Sequence, residues 1–382
     1  MSDTRRKLMF LDGLRGLAAL YVLVGHARWL LWEGFAEGYR THPNHYSAAG
    51  KLLVFGLSAF RWGHEAVLFF FVLSGFVIHL RYATGLARDP GYRFGLGSYL
   101  GRRARRLYPP LLFALSVTWA LDTIGLQLQL PTALHATRYA LMNANIGSDH
   151  SLKTLLANLV FIMTPVFGSD GPLWSLNYEW YFYLLYPLVF LLARRSIAGA
   201  TAALVGLSVI GYAPIWPDAL LWLRGVFQLM IVWWLGALLA ERFARRLAVR
   251  YEVVAGLMLA PLLLRVGLFA PWRDLVMGAT FCGLIAFCFA LQDRGWTLGS
   301  LGRLQPLGEM SYTLYIIHFP ILVLMSGCLL KASGGLLPEH FGWVALAIVL
   351  CAGLAWPLHL ITERPFLPRP AKPSSVTAAA LR

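Results

Sequence analysis

About ten mostly apolar runs divide this 382-residue chain. Most are close to the roughly twenty residues that an α-helix needs to cross a hydrocarbon core. A chain built this way is constrained to be a polytopic helical membrane protein. The composition agrees: 58% of residues are hydrophobic and 13% charged, against about 25% charged in a soluble domain. The net charge of +15 would suit a nucleic-acid partner, but the basic residues gather in short segments between the runs, as cytoplasmic loops do. No nucleic-acid-binding motif accompanies them, and no nucleic-acid partner is expected.

The predicted spans are 8–32, 65–80, 108–128, 173–192, 197–215, 219–240, 253–269, 275–291, 310–330 and 341–361. A further apolar segment at 155–167 is short, and is expected to be re-entrant or interfacial. With ten spans and both termini cytoplasmic, about 22 basic residues fall inside and about 7 outside. The first run has no small-residue cleavage site before Arg15 and reads as an uncleaved span. Residues 1–365 are expected to form one membrane domain. Residues 366–382, rich in Pro, Ser and Ala, are expected to be a disordered cytoplasmic tail. The absence of an internal repeat weakens an inverted-repeat transporter reading. Cys282, Cys288, Cys328 and Cys351 all lie in apolar runs without metal-ligand spacing, so no metal site is expected.

Polar residues inside such spans are costly and by default mark a functional pathway. Arg15 and His26 share one face of the first span, about 16 Å apart along the axis, with Asp12 one turn before Arg15. Arg15 could simply snorkel to the headgroups; a histidine near neutral pH is also the usual general base for a hydroxyl. In FFFVLSGF, Ser74 and Gly75 would let a helix or a ligand approach closely. In RRARRLYPP, Arg103 and Arg106 stand one turn apart and could share a phosphate or serve only as a cytoplasmic anchor. Glu179 sits among aromatics in LWSLNYEWYFYLLYP and needs a partner or a task. His318 and Pro320 fall within the ninth span. Glu363 with Arg364 reads as a local ion pair ending the last span.

Together these pieces resemble the acyltransferase-3 family of integral-membrane O-acyltransferases. The matching residues are Arg15 and His26, the FFVLSGF stretch ending at Phe76, Arg103 with Arg106 and Pro109, LWSLNYEWYFY, and SYTLYIIHFP. They occur in the family's order and cover most of the chain. The resemblance implies transfer of an acyl group, most often acetyl, from cytoplasmic acyl-coenzyme A as co-substrate to a hydroxyl of a carbohydrate or glycosylated acceptor. It implies a bacterial inner-membrane protein with no permanently bound cofactor. It marks the histidine at position 26 as catalytic and the arginine at position 15 as essential.

On that basis His26 is expected to be the general base, with Glu179 orienting its imidazole. Arg15, Arg103 and Arg106 are expected to hold the donor's phosphates, and Ser74, Gly75 and Phe76 to line the path of its pantetheine arm. Tyr312 and Ser311 are candidate oxyanion donors, and His318 is expected to line the same cavity. Two departures stand out. Many relatives carry an acid where this chain has Leu68, with Glu65 one turn earlier as a possible substitute. Many also carry a fused SGNH-type esterase domain, which is not seen here. The chain is therefore expected either to finish the transfer itself or to hand the acyl group to a separate periplasmic or glycan-assembly partner. A transporter for a cell-envelope glycan would also need intramembrane Arg, His and Glu, and is the rival reading.

Overall fold

The computed structural model describes residues 3–366. Among these residues every regular element is helical. The order is α1 (Asp3–Leu31), α2 (Ala48–Leu57), α3 (Gly63–Arg88), α4 (Leu96–Gln127), α5 (Ala140–Asn145), α6 (Leu152–Leu159), α7 (Trp174–Arg195), α8 (Ile197–Tyr212), α9 (Leu221–Phe243), α10 (Tyr251–Ala255), α11 (Arg273–Asp293), α12 (Gly299–Gly302), α13 (Gln305–Glu309), α14 (Ser311–Ala332) and α15 (Gly342–Thr362). Helices satisfy their own backbone hydrogen bonds, which a lipid-embedded segment must do. Seven of them, α1, α3, α4, α9, α11, α14 and α15, are long and apolar enough to cross a membrane.

The other expected spans take less regular forms. α8 is apolar but has 16 residues. α7 has 22 residues and carries Asn177, Glu179, Arg194 and Arg195. The expected span at 253–269 is not a straight α-helix. α10 gives way to 3-10 turns at Gly256–Arg265 and Gly267–Trp272, where Pro261 and Pro271 each lack the N–H that an α-helix requires. α6, which overlaps the start of the short segment expected at 155–167, has 8 residues. At 1.5 Å per residue it reaches about 12 Å, too short to cross. The tail expected after Phe366 lies outside the described residues.

The basic stretch expected as a loop before the third span is instead mostly helical. α3 runs on to Arg88, and α4 begins at Leu96, so Arg102 to Arg106 lie on α4. Arg, Ala and Leu are good helix formers. Pro109 and Pro110 cost only the bonds to the carbonyls of Arg105 and Arg106, and the helix continues through them. Arg103 and Arg106 are thereby fixed one turn apart on a rigid element.

α1 packs against α3, α14 and α15; α14 also meets α4; α3 packs against α9 and α11; and α7 contacts α3, α4, α8 and α9. The closest approach joins α3 to α9. A Cβ on Gly75 would sit 1.9 Å from the Trp233 carbonyl oxygen, and one on Gly236 would sit 1.8 Å from the Val72 carbonyl oxygen. Such backbone-to-backbone contact maximises dispersion, which drives helix association where lipid removes the hydrophobic incentive. The outer faces stay apolar: Leu188 is 63% exposed, Val349 68% and Ile361 69%. That is the surface expected of a bundle solvated by acyl chains. Between α1, α3, α4, α7 and α14 the packing opens into two cavities.

Candidate active site

The first cavity, of about 190 Å³, is lined by Arg15, Arg103, Arg106, Ser74, Glu179 and Tyr312, among others. Arg15 reaches from α1 to α13, donating from Nε to the Gly308 carbonyl at 3.0 Å and from Nη2 to the same oxygen. Asp12 lies 3.6 Å from its guanidinium. Arg103 stacks its charge over the Tyr183 ring at 5.5 Å, and Arg106 lies 5.9 Å from the Tyr312 ring centre. Neither of these two arginines has a carboxylate within ion-pair distance among the described residues. The buried Arg103 Nε and Tyr312 hydroxyl have no hydrogen-bond partner. Three guanidiniums with unspent donors around one cavity suit a polyanion, because forked N–H groups match phosphate oxygens.

The second cavity, of about 570 Å³, is lined by His26, Arg28, Trp29, His64, Asn145 and Trp174, among others. Here His26 Nδ1 lies 2.8 Å from His318 Nε2. His318 Nδ1 faces the carbonyls of Tyr315 at 2.7 Å and Leu314 at 3.1 Å. Carbonyls only accept, so His318 Nδ1 carries a proton, and in the neutral ring Nε2 must accept. His26 Nδ1 is then the donor, which leaves the lone pair of neutral His26 on Nε2. No protein group among the described residues hydrogen-bonds that atom. A fixed tautomer with a free, half-buried lone pair is what a general base requires.

The two cavities stand end to end along the helices. On α1, Arg15 lines the first and Val22, His26 and Trp29 the second. On α3, Val67, Phe70, Ser74 and Ile78 line the first and Gly63, His64 and Val67 the second. On α14, Ser311, Tyr312 and Tyr315 line the first and Tyr315 and Phe319 the second. Val67 and Tyr315 belong to both.

Several expected site residues take other places. Glu179 does not hydrogen-bond His26: it lines the first cavity and accepts a hydrogen bond from the Tyr183 hydroxyl. The partner of His26 is His318, which is buried behind it and is not part of the first cavity's lining. Gly75 turns toward the α9 backbone, and Phe76 is fully buried beside Phe243 and Phe289. Neither lines a cavity, because Ser74, one residue earlier, takes the inward-facing position. The Ser74 Oγ accepts from Trp233 Nε1–H at 3.3 Å and lies 3.3 Å from the Tyr183 hydroxyl. Glu65 faces away from both cavities and holds Arg273 by two bonds of 2.9 and 2.6 Å, while Leu68 is completely buried. Glu363 pairs with His359 at 2.9 Å, and not with Arg364, since both lie one turn apart at the end of α15.

Other polar residues escaped the sequence reading. His64 stacks on Trp174 at 5.2 Å and bonds Asp274 at 3.0 Å, closing one side of the second cavity. His79 is fully buried between the Tyr186 hydroxyl and Glu241. Both histidines sit within or beside the predicted span, where apolar neighbours hid them. Tyr183 had a readable signal, lying one turn after Glu179. Among the described residues no group of three or more His, Cys, Asp or Glu side chains is arranged to hold a metal.

Fold and site together define a multi-pass helical membrane protein with a cationic cavity stacked on a histidine cavity. An acyltransferase domain family model, that of acyltransferase-3, matches residues 9–361, and the chain belongs to that family. It is a membrane acyltransferase. No match was found among curated proteins or among solved structures.

Proposed function

We propose that the protein moves an acyl group, acetyl in the simplest case, from acyl-coenzyme A to a hydroxyl of a carbohydrate-containing acceptor. The observation that carries this reading is the fixed tautomer of His26. His26, with its Nε2 unbonded by protein, lines one cavity while Arg15, Arg103 and Arg106 line the next. The donor's phosphates bind the arginines, and its thioester reaches toward the Val67–Tyr315 junction. The acceptor hydroxyl, in the second cavity, gives its proton to His26 Nε2 as its oxygen attacks the thioester carbonyl. The new C–O bond forms, the C–S bond breaks, and the His26 proton passes to the departing sulfur, giving ester and free coenzyme A. Tyr312, whose buried hydroxyl has no hydrogen-bond partner, is the candidate oxyanion donor on this reading. Glu179 then acts within the donor cavity, through Tyr183, and not on His26.

The charge asymmetry of the loops supports ten crossings with both termini in the cytoplasm, and the family resemblance suggests a bacterial inner membrane. Donor and acceptor then arrive from opposite sides. A separate glycan-assembly partner would present or take up the product. The test uses purified full-length protein in nanodiscs, radiolabelled acetyl-coenzyme A and a glycoconjugate extract of the host. Label transfer with equimolar coenzyme A release, lost in His26→Ala, supports the proposal. Full transfer by His26→Ala overturns the role of His26.

A further inference from the structure

We infer that Val67 and Tyr315 form a neck that sets which acyl groups the enzyme transfers, restricting donors to short chains. The inference rests on the donor and acceptor reading above. Three helices place the junction of the cavities at one level, and these two side chains are the lining that both cavities share. If coenzyme A is held by the arginines, its thioester carbonyl must come to the neck to meet a hydroxyl activated by His26. The acyl tail points ahead of the carbonyl and so must pass between Val67 and Tyr315 first.

The neck is braced. Val67 is 4% exposed and Tyr315 7% exposed. The Tyr315 hydroxyl donates to the Pro172 carbonyl at 2.9 Å and lies 2.9 Å from Ser175 Oγ, and its ring meets Phe70 edge to face at 6.0 Å. The ring is therefore tied to the start of α7 on one side and packed against α3 on the other. It cannot swing clear without breaking a buried hydrogen bond. β-Branching at Val67 likewise restricts χ1 to one strongly preferred rotamer in a helix. The neck carries no charge, so it admits an acyl chain and turns back the donor's phosphates. Each added methylene on the donor must fit past a fixed isopropyl group and a fixed phenol ring.

The experiment measures transfer from radiolabelled acetyl-, butyryl- and hexanoyl-coenzyme A to host glycoconjugate extract, using full-length protein in nanodiscs. The wild type is expected to prefer acetyl. Val67→Ala, a small change that leaves every hydrogen bond intact, is expected to raise the butyryl-to-acetyl rate ratio by about tenfold. Val67→Phe is expected to lose transfer from all three donors while still binding coenzyme A. Tyr315→Phe, which releases the ring from Pro172 and Ser175, is expected to relax the preference in the same direction as Val67→Ala. An unchanged ratio in both Val67→Ala and Tyr315→Phe, with an active wild type, overturns the neck and leaves the donor reading intact. Absence of transfer from every donor by the wild type overturns the donor reading, and the neck with it.

Discussion

His26 and His318 act as one unit because the backbone around Tyr315 dictates where their protons sit. In the proposed mechanism His318 touches neither substrate directly and acts as a positioning residue. Its replacement by Phe is expected to lower kcat about a hundredfold or more. The KM for the donor should stay constant, because the arginine cavity is untouched. A rise in donor KM with unchanged kcat would contradict this. The opposite split is expected for Arg106→Gln, which on the proposed reading removes a forked phosphate donor. Donor KM should rise about tenfold or more, with kcat little changed.

At the scale of elements, the α3–α9 contact leaves no room at Gly75. Gly75→Ala forces the two backbones apart and should destabilise the bundle by about 1–3 kcal/mol. The lost stability would be read as a lower detergent-extracted melting temperature, whereas Gly206→Ala on α8, where an added Cβ meets nothing within 4 Å, should not lower it. The loop between α5 and α7 answers to pH. His150 Nε2 lies 2.9 Å from Asp122 Oδ2. That hydrogen bond, with the carboxylate's charge, holds the His150 pKa above its ordinary value. A raised histidine pKa stabilises fully below the unfolded value and loses its contribution as pH rises through the folded one. Amide protection at 147–171, corrected for intrinsic exchange, should therefore fall as pH rises above about 6.5. His150→Asn should flatten that dependence, and a profile identical in both proteins would refute the link.

For the whole molecule, the loops make sidedness testable. In a cysteine-free background, a cysteine at Ser196 should react with an impermeant maleimide only after the membrane is opened. One at Ser148 should react in intact cells. The reverse pattern would invert the assigned topology and with it the sides from which donor and acceptor come. What the sequence by itself determined follows from solvent physics: long apolar runs can only be membrane helices, and costly polar residues within them mark the path of chemistry. Arg15, His26 and Glu179 stood out for that reason, and Arg103 with Arg106 for their one-turn spacing in a basic segment before the third predicted span. The partners were not legible, because partner choice depends on which helix faces which. Glu179 finds Tyr183 on its own helix. His26 finds His318, 292 residues away. The division of the interior into two cavities, with Val67 and Tyr315 lining both, arises only where α1, α3 and α14 come together at one level. No periodicity within a single helix encodes that crossing.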